Sequence, residues 1–556
     1  MSAIFGILRF DGDAVSARDL ERMGNTLAHR GADGRKFVTN GRIGVGHGLM
    51  RVNQEDFFEA QPVDDRAADL ILAADCRIDN RGELAEAFGI GAAELRDMPD
   101  SALLPRAYKA WGEDCAAHLL GDFAFAIWDG RAGKLVLGRD HMGQRNIFYH
   151  KGKDFFAFAT EIKALWALAD VPRQLLPAEI ARFFHRTGEQ RPEGGTLYAE
   201  IAAVPGGSVV VARDDGTVEL RRYWRPQADP AHENRDENYY LEKYRGILSE
   251  AVACRLRRLT RPAALFNSAG FDTAAIAGLA GPAVTAQGRK LISLSWLGEE
   301  TTRTTRGDIR PWIEACRRVM PHLDIRELSR MSEPPFEGIE RVFLAQDGPG
   351  SGNRKTWSYL FAEAAAAGAR LIIDGYGGDY TLNPRGHGAL ARHLQRGQLR
   401  RFCSELVARL RMRELSAWRV LKNEIVFALL PRSLTRWHRR MRQIGSHEPV
   451  KAALREIEGP ELERLRKRNA AEAGPGRDSI PITAMRTSMR YAMTTRLPLS
   501  RNSTCGLVVI GMCSRTVPRS KARSSSLCSL MIEPGPSRIR RTAPSGHSNA
   551  ARSSRK

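Results

Sequence analysis

Apolar positions over roughly the first 225 residues come in short runs broken by turn-forming residues, the pattern of many brief strands. Strands are expected at 42–47, 70–74, 123–128, 134–138, 155–160 and 208–212, with helical patches at 19–29 and 101–111 between them. Strands outnumber helices, so residues 1–225 read as an α+β sandwich. The polar segment 226–237 contains Pro226 and Pro230 and reads as a linker. From Asn238 the period changes. Tyr240, Tyr244, Ile247, Leu248, Ala251 and Leu256 recur at helical spacing. The apolar strand 263–266 follows and runs into Asn267-Ser268-Ala269-Gly270-Phe271-Asp272-Thr273 and a helix at 274–280. A strand at 291–297, a helix at 309–319, a strand at 323–328, helices from Phe336 and Trp357 and a strand at 371–373 continue the alternation. Strands alternating with helices predict a doubly wound parallel α/β sheet, whose ligands sit at the carboxyl ends of its strands. Amphipathic helices are expected at 399–411 and 418–430.

After Leu499 neither period persists. Ser, Arg, Pro and Gly dominate 499–556, which reads as a low-complexity basic tail, disordered or translated out of frame, and leaves 238–498 as the second domain. Charge sharpens that boundary. Of the net +21, the segment from Arg501 to Lys556 carries eleven Lys and Arg against one acid, Glu533. Only one other dense basic patch occurs, Arg432 to Arg442, and no nucleic-acid-binding signature focuses the charge, so no nucleic-acid partner is expected. No window approaches the roughly 18 apolar residues of a membrane span. The amino end lacks a basic signal region, and the eight cysteines include no C-x-x-C pair. Together these point to the cytoplasm and to no structural zinc. The thirteen histidines show no metal-ligand spacing.

Two Gly-rich turns carry the candidate chemistry. In Ser268-Ala269-Gly270-Phe271-Asp272-Thr273, small residues let backbone N–H groups close on an anion at a helix N-terminus. A carboxylate there would repel phosphate unless a divalent cation lies between them, so Asp272 implies Mg²⁺. The second turn, Asp374-Gly375-Tyr376-Gly377-Gly378-Asp379, also ends a strand, and Asp379 offers another hard oxygen ligand. Each alone is equally a plain turn with a capping side chain. The pair fits one Mg–nucleotide site.

The pair resembles the pyrophosphate loop and the later Gly-rich segment of asparagine synthetases, β-lactam synthetases and lasso-peptide cyclases. These enzymes adenylate a carboxylate with Mg·ATP, release pyrophosphate and let an amine attack the acyl-adenylate. The resemblance implies an adenine-nucleotide α-hydrolase-like (PP-loop ATP pyrophosphatase) domain with ATP and Mg²⁺ as cofactors. It implies that Ser268, Ala269, Gly270 and Thr273 hold pyrophosphate, that Asp272 and Asp379 bind Mg²⁺, and that Phe266, Leu294 and Gly375 lie near the adenosine. Ala269 stands where the family usually has Gly, which a negative φ would accommodate. Tyr376 stands where asparagine synthetases have Glu. It resembles the β-lactam synthetase Tyr that helps deprotonate the attacking amine. Tyr380 stands where the family has an acid.

The first 225 residues resemble class II glutamine amidotransferases, a fold of the N-terminal-nucleophile (Ntn) type. The resemblance rests on His29-Arg30-Gly31-Ala32-Asp33, Gly46-His47, Phe123 to Asp129, Gly138-Arg139-Asp140 with Gly143, and Phe158 to Leu165. Their chemistry is altered. The nucleophilic Cys is replaced by Ser2, the oxyanion-hole Asn-Gly by Asp75-Cys76, and the glutamine-binding Arg by Leu49, while Asp100 is kept. A carboxylate at the oxyanion position opposes the developing charge. No glutamine hydrolysis is expected, so the amine must come from the substrate. Gly386-His387-Gly388 and the stretch around Leu430-Pro431-Arg432 resemble lasso cyclases. The expectation is isopeptide closure of a precursor peptide delivered with its leader-processing protease. A small-molecule amide or β-lactam synthetase, an asparagine synthase and a catalytically dead scaffold stay open. The element Gln346-Asp347-Gly348-Pro349 resembles a family D-x-P element, with a capping or a substrate-contacting Asp347.

Overall fold

The computed structural model describes residues 2–180, 193–227, 229–232, 235–297, 308–329, 354–376, 389–411 and 508–511, with a few single or paired positions between them. Twelve strands build the first domain: β1 (Ala3–Arg9), β2 (Arg35–Asn40), β3 (Ile43–Gly48), β4 (Val63–Asp65), β5 (Leu70–Ile78), β6 (Gly121–Asp129), β7 (Lys134–Arg139), β8 (Phe148–Lys151), β9 (Phe155–Ala159), β10 (Ile201–Ala203), β11 (Ser208–Arg213) and β12 (Val218–Arg222). They form two six-stranded sheets, ordered β10-β8-β9-β1-β3-β2 and β12-β11-β7-β6-β5-β4. Period-2 alternation sends β1 side chains to two cores. Ile4 and Leu8 face the second sheet, packing with Ile71, Ala73, Ala124, Ala126 and Leu137. Ala3, Phe5 and Ile7 face α1 (Ala17–Thr26) through Leu20 and Met23. The outer face of the second sheet packs Phe123, Phe125 and Ile127 under α2 (Leu103–Trp111). The result is an α+β sandwich with helices outside both sheets, as expected. Gly46 is required by close packing, since a Cβ there would sit 2.1 Å from the Phe5 ring.

The second domain begins with α3 (Glu237–Arg255), capped by the Asp236 carboxylate, which accepts from the Tyr239 N–H at 2.7 Å. Strands β13 (Ala263–Phe266), β14 (Leu291–Trp296), β15 (Leu323–Leu328) and β16 (Leu371–Asp374) alternate with α4 (Phe271–Thr285), α5 (Arg310–Val319) and α6 (Arg354–Ala366). The sheet is parallel, in the order β15-β14-β13-β16-β17, where β17 is Val508–Gly511. One face packs Leu265, Leu371 and Ile373 against Leu248 and Val252 of α3 and Ile276 and Ala280 of α4. The other packs Ala264, Phe266, Ile292 and Ile372 against Leu360, Phe361 and Ala364 of α6. Strands buried on both faces are apolar throughout, which is why β13 and β16 read as short apolar runs.

β17 departs from the expected unstructured tail. Its β-branched run Val508-Val509-Ile510 pairs in parallel with β16, from Leu371↔Val508 to Asp374↔Gly511. Among the described cysteines Cys115 and Cys316 are buried, Cys76 and Cys254 are partly buried and Cys403 is exposed. Phe336 and most of 418–430 lie outside the described residues. Among the described residues no helix is long and apolar enough to cross a membrane.

Candidate nucleotide site

The chain leaves β13, crosses to β14 and β15 on one side, then returns to β16 on the other. The two adjacent strands β13 and β16 therefore flank the topological switch point, where doubly wound sheets bind ligands. Both Gly-rich turns emerge there. They touch: a Cβ on Gly375 would lie 2.9 Å from Asp272 Cβ and 3.1 Å from the Thr273 nitrogen. One on Gly378 would lie 2.2 Å from the Asp272 carboxyl carbon. Only a backbone without side chains approaches so closely, and this explains the glycines of the second turn.

Asn267 shapes the first turn from below. Buried, it accepts at Oδ1 from the Ala269 N–H at 2.8 Å and donates from Nδ2 to Ser293 Oγ at 3.1 Å. Thr273 Oγ1 donates to the Gly270 carbonyl at 3.2 Å and lies 3.3 Å from Ser268 Oγ. Ser268 and Gly270 form an exposed rim, with Asp272 half-buried in the first turn of α4. Backbone N–H groups at that helix start have no intrahelical acceptor, which suits a phosphate. Ala269 corrects one expectation. Its φ is +53°, not negative, because the Asn267 hydrogen bond folds the turn tightly enough to force a left-handed residue.

Phe266 and Leu294 are buried in the apolar layer, Phe266 packing on Trp357 at 5.1 Å and on Phe361 at 5.3 Å. They end below the mouth of the site, at or near the carboxyl ends of β13 and β14. Tyr376 is half-buried, its N–H donating to Asp374 Oδ1 at 3.0 Å. Asp379, Tyr380, Gly386-His387-Gly388 and Leu430-Pro431-Arg432 lie outside the described residues.

Three contributors were not singled out by residue type. Asn267 is one. Asp374 is another, with a carboxyl pushed up to about 6 by burial. Tyr244 of α3 is the third, partly buried against the core beneath the sheet, where burial and then the Asp272 charge push its phenol up to about 12. The apolar spacing of Tyr244 signalled a core position and gave no hint of that charge.

Among the described residues no group of three His, Cys, Asp or Glu side chains converges on a metal position. The fit to Mg²⁺ rests instead on a single carboxylate at a helix start, faced by a glycine cradle. That suits an ion that keeps waters and shares ligands with a nucleotide. Asp272 would be that carboxylate ligand.

In the first domain, the Ser2 N–H donates to Asp75 Oδ1 at 3.1 Å, and Ser2 Oγ accepts from the Met50 N–H at 3.1 Å. Asp75 is buried, with Arg145 Nη1 at 3.5 Å. Burial pushes the Cys76 thiol well up and holds His47 down to about 4. Asp100 is buried and bonded by Arg81 and by both oxygens to Arg257 Nη2, at 3.1 and 3.0 Å. Asp347 takes the capping role, at the first turn of the short helix Ile162–Leu165. It pairs with Lys163 Nζ at 3.4 Å and accepts from the Lys163 N–H at 3.3 Å, so it docks the two domains.

Comparisons with known proteins agree with this architecture. Residues 1–224 match the family model for a glutamine amidotransferase domain, and residues 243–500 match that for asparagine synthase. An asparagine synthetase (glutamine-hydrolysing) of Bacillus subtilis is 26% identical over 50% of this chain and 45% of its own length. Amidase chry2 of Gibberella zeae is 28% identical over 50% of this chain and 41% of its own. A putative asparagine synthetase of Mycobacterium bovis is 30% identical over 48% of this chain and 42% of its own. The chain thus spans less than half the length of each of these relatives. An amidotransferase-type sandwich followed by an asparagine-synthase-type domain, in this order and with both Gly-rich turns in place, means that the chain belongs to the asparagine-synthetase-like family.

Proposed function

We propose that this chain is an ATP-dependent carbon–nitrogen ligase that adenylates a carboxylate and couples it to an amine without hydrolysing glutamine. The observation that carries the reading is the contact between the two Gly-rich turns at the switch point, with the Asp272 carboxylate between them. Bound Mg²⁺ would neutralise phosphate charge there. The residues of the chain do the rest. The turn of Ser268, Ala269, Gly270 and Thr273 holds the pyrophosphate. Asp272 and Asp379 would hold the metal, and Tyr376, through its phenolate, would help to deprotonate the incoming amine. In the reaction a carboxylate oxygen attacks the α-phosphorus and pyrophosphate departs. The amine then attacks the acyl carbon, AMP departs and the amine proton is lost to base.

Ser2, Asp75 and Leu49 make the first domain unsuited to supply ammonia, so the amine belongs to the substrate. That favours macrolactam closure of a precursor peptide, in which the peptide N-terminus attacks an adenylated Asp or Glu side chain. A second reading, a small-molecule amide synthetase, is favoured by the similarity to fungal proteins named as amidases. Adding a free small amine separates the two, since an adduct of that amine favours the second.

The site assignment is tested by Mg·ATP binding. Asp272→Ala and Asp379→Ala should each weaken it severely, because phosphate charge is left uncompensated in a site with few other ligands. Parental affinity in both variants would show the site to be misplaced.

A further inference from the structure

The strands that carry the two turns are both tied to the first domain at their opposite, amino-terminal ends. The turn that enters β13 is held by Arg257, whose Nη2 bonds both Asp100 oxygens, whose Nε donates to Glu55 at 2.7 Å and whose Nη1 donates to the Ile78 carbonyl at 3.1 Å. Arg255 beside it pairs with Asp79 and, at 2.9 Å, with Asp122. Backbone pairing completes the seam. Gln54 N–H donates to the Arg258 carbonyl at 2.8 Å, and Thr260 N–H to the Val52 carbonyl at 2.8 Å. Strand β16 is held in the same way. Arg370, the residue before it, donates to Asp33 at 2.5 Å and to the Arg51 carbonyl at 2.9 Å.

Asp100 is thereby fully engaged. Burial alone would raise its carboxyl, but the guanidiniums of Arg257, Arg81 and Arg77 outweigh it and hold it below its ordinary value. Asp100 is buried and Arg257 partly so, and one guanidinium nitrogen reaches both carboxylate oxygens, so the pair is charge-assisted and costly to break from either side. Met50 and Val52 also pack in the same apolar cluster as Leu265, Leu371 and Ile373, so the seam is continuous with the core beneath the sheet.

We infer that Arg257 and Arg370 are positioning residues, and that Asp100 and Asp33 of the first domain fix the placement of β13 and β16 and so the spacing of the two nucleotide turns. This rests on reading those turns as the nucleotide site. The first domain then has a present task in the ligase reaction, although its own catalytic positions are altered. Coupling through such a network is expected to change affinity by roughly two- to thirtyfold.

The test uses the full chain. Hydrogen exchange over 267–273 and Mg·ATP affinity are measured in Asp100→Asn, Arg257→Gln, Arg257→Lys and Arg370→Gln. Tyr108→Phe is the control, because it removes only the Tyr108–Asp129 hydrogen bond inside the first domain. Expected are faster exchange at 267–273 and weaker Mg·ATP binding in the Asn and Gln variants, with Arg257→Lys closer to the parent and Tyr108→Phe unchanged. Should Asp100→Asn fail to fold, the two Gln variants decide from the second domain's side. Parental exchange and affinity in both of those would overturn the inference, as would an equal effect in Tyr108→Phe. A parent chain that binds no Mg·ATP would remove the proposed function, and the exchange data alone would still decide whether the seam orders the turn.

Discussion

At the scale of single residues, Ala269 is the clearest departure from local preference. An L-residue at φ +53° crowds its Cβ against the backbone, a cost of about 1–2 kcal/mol that glycine does not incur. Ala269→Gly is therefore expected to raise the stability of the second domain by roughly 1 kcal/mol, and to leave Mg·ATP binding undiminished. Thermal unfolding with and without nucleotide checks this. A lower melting temperature would mean that the methyl group makes packing contacts worth more than the strain. The chain showed an alanine in a glycine position but could not show the sign of φ, which the Asn267 bond sets. His47 gives a pH-dependent case. Burial lowers its folded-state value from the usual 6.5 to about 4, although the Asp75 charge opposes this. A base with a depressed folded value stabilises the fold above its unfolded value and loses that contribution as pH falls towards the folded one. From pH 7.5 to pH 5 the first domain should lose about 2 kcal/mol through His47. Urea unfolding at the two pH values should show a distinctly smaller loss in His47→Gln. An equal loss would place the acid sensitivity elsewhere.

At the scale of elements, the apolar periods marked β3, β5, β6, β7, β9 and β11 of the first domain and β13 to β16 of the second, but not β1, β2, β4, β8, β10 or β12. The helix expected at 399–411 is observed as Leu399–Arg411, and β7, expected at 134–138, ends one residue later at Arg139. The helix expected at 274–280 instead spans Phe271–Thr285. Its first turn is part of the first Gly-rich turn, where exposed Phe271 and half-buried Asp272 break the apolar pattern, and Pro282 near the end disguises the last turn. β17 was missed because its four residues are embedded in Ser- and Arg-rich sequence. The altered amidotransferase centre also belongs to this scale, because strand ends position it. Ser2 lies just before β1 and Asp75 within β5, and the two are hydrogen-bonded. A carboxylate held at that place opposes an oxyanion. The chain is expected to release no ammonia from glutamine above background. Turnover that Ser2→Ala abolishes would contradict the expectation.

At the scale of the whole molecule, the sequence disclosed two domains and two turns but not their contact. Nothing in the spacing of Asp272 and Gly378 along the chain shows that they meet. The crossover from β15 back to β16 beside β13 brings them together. The same holds for Arg257 with Asp100 and for Lys163 with Asp347, which are pairs across domains that no local pattern marks. This arrangement leads to the central claim, that one nucleotide site at the switch point activates a carboxylate by transferring the adenylyl group. The measurement that bears on it most directly is the identity of the nucleotide products when the chain turns over Mg·ATP with a peptide carrying a free N-terminus and an internal acidic side chain. The account predicts AMP and pyrophosphate in step with a peptide product lighter by one water, whereas ADP and phosphate would contradict it.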